Sequence, residues 1–247
     1  MTGALLRRRV NFFLLAALGF NLLLWAGSRD MYAKWAGVPP VPSRAGAVMM
    51  ALGDPEFSYR SGALTLQNLG DGGGQTTPLK DYDYKKLGRW LWLLNELDPA
   101  SDQVPYLAAY YFGVVRDKPE DTAVLVDYLA AVGQNPAGEK WRWLAQAAVL
   151  ARHRMNDLHR ALDIAYMLSK MRLTDGRDLP SWAREYPVFI LKAEGDKASA
   201  RQLMESILQT EKNLSPDEIK FMKNYLVNRL DTNPAEAEAL VKARGHL

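Results

Sequence analysis

The chain of 247 residues is 48% hydrophobic and 24% charged, a composition that is typical of a folded globular protein and excludes a disordered one. It contains no cysteine, which excludes disulfides, thiolate catalysis and cysteine-held metal or iron–sulfur sites. Residues 1–44 carry six basic side chains and one acidic one, a charge of +5, so the other 25 basic and 27 acidic side chains give residues 45–247 a charge of −2. A slightly acidic domain argues against nucleic-acid binding, which needs a basic surface.

The first predicted element is an apolar helix. Residues 10–27 carry no charge and directly follow Arg7, Arg8 and Arg9. As a helix they would be about 27 Å long, enough to cross the hydrocarbon core of a bilayer. We therefore predict a transmembrane helix over residues 10–27, in contact with the lipid bilayer, after a tail of residues 1–9. A cleaved signal peptide and a buried helix of a soluble protein are the alternatives.

The charges beside this helix suggest its orientation. Three arginines precede it, whereas Arg29 and Lys34 follow it, so the bias towards a cytoplasmic amino terminus is modest. We expect residues 1–9 in the cytoplasm and the bulk of the chain outside. In a bacterium this would be a single-pass protein of the inner (cytoplasmic) membrane, with the bulk of the chain periplasmic.

Residues 28–80 are predicted to form a juxtamembrane linker with short helices near 45–52 and 56–69. The linker begins with a proline-rich spacer at residues 37–44. Residues 70–78 contain four glycines and are predicted to be a mobile loop with no regular element. They lack the lysine and serine or threonine of a phosphate-binding loop, so no nucleotide site is predicted there.

From residue 81 to 247 the pattern is helical, because apolar residues recur three and four positions apart and no strand-like alternation persists. A capping box at Ser215-Pro-Asp-Glu218 and a stop-and-start signal at Gly195-Asp196 support the breaks between helices. The predicted helices lie near 84–97, 104–116, 119–132, 139–154, 157–171, 180–194, 197–211, 215–230 and 234–244. From residue 104 onward they pair into four hairpins, 104–132, 139–171, 180–211 and 215–244.

A small residue recurs in the second helix of each predicted hairpin. Ala123, Ala161, Ala200 and Ala237 are 38, 39 and 37 residues apart, each with a proline, aspartate or asparagine four positions before it and an aliphatic residue three positions after it. A small side chain at this place would let two helix backbones approach. Because one hairpin cannot bury its own apolar face, the recurrence predicts hairpins that stack.

The segment "WRWLAQAAVLARHRMNDLHRALDIA" resembles a tetratricopeptide repeat. Trp141, Leu144, Ala145 and Ala148 occupy the W-x2-L-G-x2-Y positions of the first helix, with alanine for the glycine and the tyrosine, and Ala161 resembles the small residue of the second helix, one turn late. The resemblance covers roughly residues 104–244 in degenerate form. It implies an all-α, TPR-like α-solenoid of antiparallel helix hairpins, here preceded by a single transmembrane helix, and a scaffold that binds partner proteins.

No catalytic or cofactor-binding set is recognisable. The three histidines, His153, His159 and His246, do not have metal-ligand spacing, and the first two have arginine neighbours that would repel a cation. Motifs such as H-E-x-x-H and G-x-S-x-G do not occur. The sequence therefore predicts neither an enzyme nor a cofactor or metal.

The best candidate for a binding surface is basic and aromatic. Residues 139–177 carry eight basic and four acidic side chains, a local charge of +4. Tryptophans are paired at Trp90/Trp92 and Trp141/Trp143, where one of each pair should pack in the core and the other could line a groove. A solvated basic face is the alternative. The candidate partner-binding residues are Lys140, Arg142, Trp143, Arg152, Arg154 and Arg160.

Three functions remain open from the sequence. The favoured one is a membrane-anchored helical-repeat scaffold that binds other membrane or periplasmic proteins in an assembly or adaptor role. The second is an accessory subunit of a larger membrane protein complex. The third and least favoured is an enzyme that acts on envelope glycan from a helical scaffold.

Overall fold

The computed structural model describes residues 2–29, 38–72, 75–115, 118–211 and 213–244. These residues form an all-α protein with the helices α1 (Thr2–Ser28), α2 (Arg44–Met50), α3 (Pro55–Gln67), α4 (Tyr84–Leu97), α5 (Gln103–Tyr106), α6 (Pro119–Gly133), α7 (Trp141–His153), α8 (Leu158–Ser169), α9 (Ser181–Glu194), α10 (Lys197–Thr210), α11 (Pro216–Arg229) and α12 (Pro234–Arg244). A π-helical turn at Leu107–Tyr111 and a 3-10 turn at Phe112–Val114 continue α5, and another 3-10 turn spans Leu79–Asp81.

Helix α1 is long and apolar enough to cross a membrane. Its segment Asn11–Ser28 has a mean hydropathy of 1.5, and none of it is buried against the rest of the protein. The core helix of a soluble protein would be largely buried, so this exposure argues against the soluble-helix alternative. A signal sequence would have the same length and composition. The predicted tail is part of the same helix, since α1 begins at Thr2.

The helix limits predicted for the repeat region are largely confirmed. Helices α4 and α12 begin and end at the predicted residues, and α6 to α11 do so within two residues. The capping signals act as expected. Ser215 and Glu218 form a reciprocal capping box, Asp157 and Asp196 accept N-cap bonds, and Gly195 ends α9 with a φ of 92°.

Two predictions for the irregular regions are wrong. The helix expected over 104–116 is broken into α5, the π-helical turn and the 3-10 turn. The chain passes close to α7 at Gly113, where an added Cβ would lie only 3.1 Å from a methyl group of Leu150. The glycine-rich segment also holds a short element, an antiparallel ladder that pairs Asp71 with Thr76 and Gly72 with Gln75.

The helices pack in sequence order, and each of α6 to α10 contacts the next. Helices α6 and α7 approach each other closely at a glycine. A Cβ on Gly133 would lie 2.2 Å from the backbone nitrogen of Leu144, so the absence of a side chain lets the two backbones meet. The interior is therefore shared between successive hairpins.

Two hydrophobic clusters make up this interior. The first runs from Val38 to Ile190 and includes α2, α3 and α4. The indole of Trp90 donates a 2.9 Å hydrogen bond to the carbonyl of Pro39, which fixes the start of this segment. The predicted boundary between residues 80 and 81 is therefore not an edge of the core. The second cluster lies between α9, α10 and α11, from Val188 to Leu230.

The small residue that recurs in the second helix of each predicted hairpin occupies the same buried position in three of the four hairpins. Ala161, Ala200 and Ala237 are completely buried, and each is the fourth residue after the helix N-cap, to which its N–H donates. In α6 the N-cap is Lys118, because Pro119 is the first helical residue. The equivalent buried position is therefore Thr122, whose N–H donates to Lys118, and not the predicted Ala123.

Candidate functional site

Two of the six candidate residues lie inside the protein. Lys140 is 6% exposed, and its Nζ donates to the carbonyl oxygens of Ala100 (2.9 Å) and Ser101 (2.8 Å) and to Oδ1 of Asp102 (2.8 Å). The buried Trp143 donates its indole N–H to the same Asp102 oxygen at 2.7 Å. The two side chains therefore tie α7 to the turn before α5 and are not available to a partner.

The Asp102 carboxylate is held ionised by this arrangement. Burial alone would raise its pKa, but the hydrogen bonds from Lys140 and Trp143 hold the pKa below its ordinary value. The tyrosine hydroxyl of Tyr59 on α3 donates to Ser101 at 2.6 Å and fixes the other side of the same turn. The network is structural: it positions the first turn of α7 against α3 and α5.

A solvent-facing cleft of about 520 Å³ lies on the amino-terminal half of α7. Trp141, Arg142, Ala145 and Gln146 form its floor. Its walls are Tyr110 on one side and Leu173, Arg177, Asp178, Pro180 and Trp182 on the other. Its charges are compensated internally, since Glu139 pairs with Arg142 at 2.8 Å and with Arg177 at 2.9 Å.

A second cleft, of about 510 Å³, continues along the carboxyl-terminal half of α7 and shares Tyr110 and Gln146 with the first. Its remaining lining is Ala109, Gly113, Val114, Val149, Leu150, His153 and Arg154. This lining combines apolar side chains with the polar Tyr110, Gln146 and His153 and the basic Arg154, and it contains no carboxylate. We call the two clefts together the α7 groove; Arg142, Gln146, Val149 and His153 face it because they lie three or four residues apart on one helix.

The remaining candidate arginines differ in position. Arg154 lines the groove, and Arg152 lies beside Tyr186 and Tyr225, where its charge favours the ionised form of both hydroxyls, although burial is the larger effect and raises the pKa of each. Within the described residues, neither arginine forms an ion pair with a carboxylate. Arg160 lines neither cleft, because its guanidinium pairs with Asp127 of α6.

Burial, followed by the charges of Arg152 and Arg154, lowers the pKa of His153. The lowered pKa favours the neutral form of His153, so Arg154 is the positive charge in the lining at this end of the groove, and Arg152 lies near it outside the lining. The basic character predicted for residues 139–177 is therefore confined, within the groove, to the end at Arg154. In the first cleft the basic side chains are paired with Glu139.

A row of aromatic rings links the first helices of all four hairpins. Its inter-helix ring contacts are Tyr110–Trp143, Trp141–Trp182, Phe189–Phe221 and Phe189–Tyr225, with centroids 6.5, 5.6, 6.4 and 5.2 Å apart. The rings of Tyr106 and Tyr186 continue the row within α5 and α9. Most of this row was not predicted from the sequence, although the first helix of every predicted hairpin carries aromatic residues.

One buried carboxyl lies outside the groove. Glu185 on α9 is 2% exposed, its Oε1 has no hydrogen-bond partner, and burial together with the nearby Glu218 raises its pKa to about 7. It lines neither cleft of the groove. We therefore assign it to the packing of α9 against α11.

Among the residues that the structure describes, no group of three or more histidine, aspartate or glutamate side chains could hold a metal ion. The exposed His159 instead pairs with Asp163 on its own helix at 3.4 Å. Comparison of the chain with protein-family models, with curated proteins and with solved structures finds no significant match.

Proposed function

We propose that the protein is a single-pass membrane-anchored scaffold whose helical repeats bind segments of other cell-envelope proteins. The observation that carries this proposal is the α7 groove, a channel lined by apolar, aromatic and polar side chains, with Arg154 at one end and Arg152 two residues before it in the helix. The consecutive packing of the hairpins and the resemblance to tetratricopeptide repeats support a solenoid, a class of fold that generally presents extended binding surfaces.

The chemistry of the groove indicates an acidic, partly apolar peptide as its ligand. Val114, Val149 and Leu150 can cover apolar side chains, and the exposed ring of Tyr110 offers a flat contact between the two clefts. Arg152 and Arg154 would pair with a carboxylate of the ligand without first breaking an internal ion pair. A peptide segment is favoured over a small metabolite because the two clefts continue into each other along α7.

The anchor is the second part of the proposal. The unburied apolar segment of α1 and the three arginines before it support a membrane helix with a cytoplasmic amino terminus and a periplasmic domain. A reporter fused after Leu247 should be active only outside the cytoplasm. Activity in the cytoplasm would overturn this orientation, and release of the chain from membranes by signal cleavage would overturn the anchor.

The groove is tested by reversing the charges of Arg154, which lines it, and of the neighbouring Arg152 in the full-length protein. We expect Arg152→Glu with Arg154→Glu to weaken binding of the co-purifying partner at least about tenfold, since two charge contacts would become repulsive. The matched control is Lys85→Glu with Arg89→Glu, two exposed residues of α4 that change the net charge equally. The partners would be captured in mild detergent and quantified by mass spectrometry.

The outcomes separate the groove from general electrostatics. Loss of the partner with the groove variant alone supports the proposal. Equal loss with both variants would mean that only net charge matters, and full retention with a folded groove variant would place the partner elsewhere. Thermal melting monitors folding, and Arg152→Gln with Arg154→Gln gives a milder variant should the reversal destabilise the protein.

An accessory-subunit role is the second candidate, and Asn21 favours it. Asn21 lies near the middle of the apolar segment Asn11–Ser28. An amide at this depth gains most by hydrogen bonding to a neighbouring transmembrane helix. A subunit would co-purify with fixed stoichiometry and lose its complex on Asn21→Leu, whereas a scaffold held through its groove would retain its partner in that variant.

A further inference from the structure

In the part of the chain that the structure describes beyond α1, the most exposed aliphatic side chains lie together at the carboxyl-terminal end of α2. Among the described residues beyond α1, Leu52 (95% exposed), Met49 (77%) and Met50 (71%) are the three most exposed large apolar side chains. Phe57, at the start of α3, is also exposed beside them in sequence. We call these four residues the α2–α3 tip. Large clustered apolar exposure of this kind marks a surface that something covers.

The backbone holds the tip in a defined shape. The N–H of Gly53 donates to Val48 (2.9 Å) and the N–H of Leu52 to Met49 (3.1 Å), which is the bond pattern of a Schellman motif at the end of α2. Behind it, Asp54 caps α3 by accepting from the N–H groups of Glu56 and Phe57. The apolar side chains are therefore presented by a hydrogen-bonded turn between two helices.

Leucine is an unexpected residue at this point of the turn. Leu52 occupies the left-handed position with a φ of 56°, which favours glycine, asparagine or aspartate. The other two non-glycine residues described with positive φ are of these types, Asn156 and Asp231. Leu52 is thus unfavourable both for its backbone and for its contact with water. A contact that buries its side chain would account for a leucine here.

The chain itself limits what that contact is. The tip follows α1 closely: Ser28, at the end of the apolar segment, is ten residues before Val38, where the chain enters the core. Ten residues span at most about 36 Å. With α1 in a bilayer, the folded domain begins within about 36 Å of the end of the membrane helix, and the tip lies on the first helix pair of the domain.

We propose that the α2–α3 tip inserts Met49, Met50 and Leu52 into the interfacial region of the bilayer that holds α1. The inference rests on the proposed membrane anchor. Residues 44–60 carry two basic and two acidic side chains, a net charge of zero, and Glu56 and Arg60 form an ion pair. The insertion is accordingly driven by apolar burial rather than by anionic headgroups, and it is insensitive to salt and to lipid charge.

The experiment uses the absence of native cysteines. Leu52→Cys, Met49→Cys, Leu18→Cys and Met167→Cys would be labelled singly with a polarity-sensitive fluorophore in the full-length protein, reconstituted in vesicles of phosphatidylcholine. Quenching by nitroxide lipids reports contact with acyl chains, and quenching by iodide reports exposure to water. Leu18 lies in α1, and Met167 is an exposed methionine of α8 that serves as the matched control for Met49.

We expect labels at 49 and 52 to emit further to the blue than the label at 167. Nitroxide lipids should quench these two labels severalfold more strongly and iodide severalfold less, at both low and high salt. Iodide quenching at 49 and 52 equal to that at 167, with label 18 in lipid, would overturn the tip contact and leave the anchor standing. A label at 18 that is exposed to water would overturn both.

The remaining outcomes are also decisive. Labels at 49 and 52 shielded from iodide but unaffected by nitroxide lipids would show a protein contact instead of a lipid contact, and would overturn the proposal. Equal lipid contact at 49, 52 and 167 would mean that the domain lies flat on the bilayer and would overturn the specific role of the tip. Because Leu52 and Met49 are exposed, neither substitution removes a core contact, and the two sites test each other.

Discussion

The two hydrophobic cores of this chain are built differently. The first, from Val38 to Ile190, completely buries large side chains such as Phe112 and Tyr128 and contains the Lys140–Asp102–Trp143 network, in which the ammonium and the indole N–H are both hydrogen bonded. The second, between α9, α10 and α11, buries aliphatic residues and methionines, and its aromatic rings are only partly buried.

The two cores also differ in how many of their buried polar groups lack a hydrogen-bond partner. Of the described side chains, Arg184, Glu185 and Thr232 near the second core each have a buried polar atom without a hydrogen-bond partner, against only the Tyr128 hydroxyl in the first. Unsatisfied buried groups typically cost about 1–3 kcal/mol each. Local unfolding should therefore begin in the second core, and hydrogen exchange should be faster in α10 to α12 than in α6 to α8.

The expected difference in stability between the two cores bears on ligand binding. The α7 groove lies on the more stable core, so its walls are expected to be preformed rather than folded by the ligand. The carboxyl-terminal hairpin, by contrast, can shift at little cost. The comparison predicts that a bound peptide protects α7 and the turn at Tyr110 from exchange without greatly changing α12.

The largest expected effect comes from breaking the polar network of the first core. Asp102→Ala would leave the Lys140 ammonium buried beside two carbonyl groups and the Trp143 N–H without a partner. Lys140 is buried but Asp102 is half-exposed, so water can replace part of the lost contact, and we expect a loss of about 2–3 kcal/mol in the free energy of unfolding. Denaturant titration of the full chain in mild detergent, followed by tryptophan fluorescence, would measure it.

The control is Asp157→Ala, which removes a carboxylate that caps α8 through the N–H of Arg160. Loss of an N-cap costs about 1 kcal/mol. If the two variants lost the same stability, the buried network would contribute no more than a surface cap, and the first core would not owe its stability to it.

In the second core, Glu185 should make stability depend on pH. Its pKa is about 7 in the folded protein, against 4.5 for an ordinary glutamate, so the folded state keeps a proton that the unfolded state has already released between these values. The resulting stabilisation is fully present below about pH 4.5 and is lost as pH rises through about 7.

Glu185→Gln should therefore be more stable than the unmodified chain at about pH 8, by up to about 3 kcal/mol, and nearly equal to it at about pH 4. Thermal melts at both pH values, with hydrogen exchange of α9 and α11, would measure the change. A variant that is no more stable at high pH would show that the buried carboxyl acquires partners or water in solution.

Replacing a buried alanine by leucine at equivalent positions allows the packing of the two cores to be compared. Ala161→Leu in α8 and Ala200→Leu in α10 should each cost about 1–3 kcal/mol, because both alanines are fully buried at the contact between two helices. The loss should be larger at Ala161, which lies in the first core, than at Ala200, where the looser second core can yield. The reverse order in denaturant titrations would contradict the comparison.

The sequence predicts those features that depend on local signals. Periodicity and caps such as Ser215 and Asp196 locate the helices, because a cap acts on N–H groups two or three residues away. Lys140 is buried because it binds carbonyl groups 39 and 40 residues earlier in the chain. Arg160 pairs with Asp127, which lies 33 residues earlier. Nothing local distinguishes these two cations from Arg154, so these two of the six candidate residues could not be assigned before the fold was known.

The smallest expected effect tests the register of the repeat. By its spacing along the sequence, Ala123 is equivalent to Ala161. When positions are counted from the N-cap of each helix, the equivalent of Ala161 is Thr122, because α6 begins at Pro119 and its N-cap is Lys118. Ala123 is only half-buried. A leucine there can extend towards solvent and should change the free energy of unfolding by less than about 0.5 kcal/mol, as expected for surface sites. A loss equal to that of Ala161→Leu would restore the frame counted along the sequence. The small effect that we expect would instead show that the repeating unit is defined by the capping residue, from which the buried position is counted in all four hairpins.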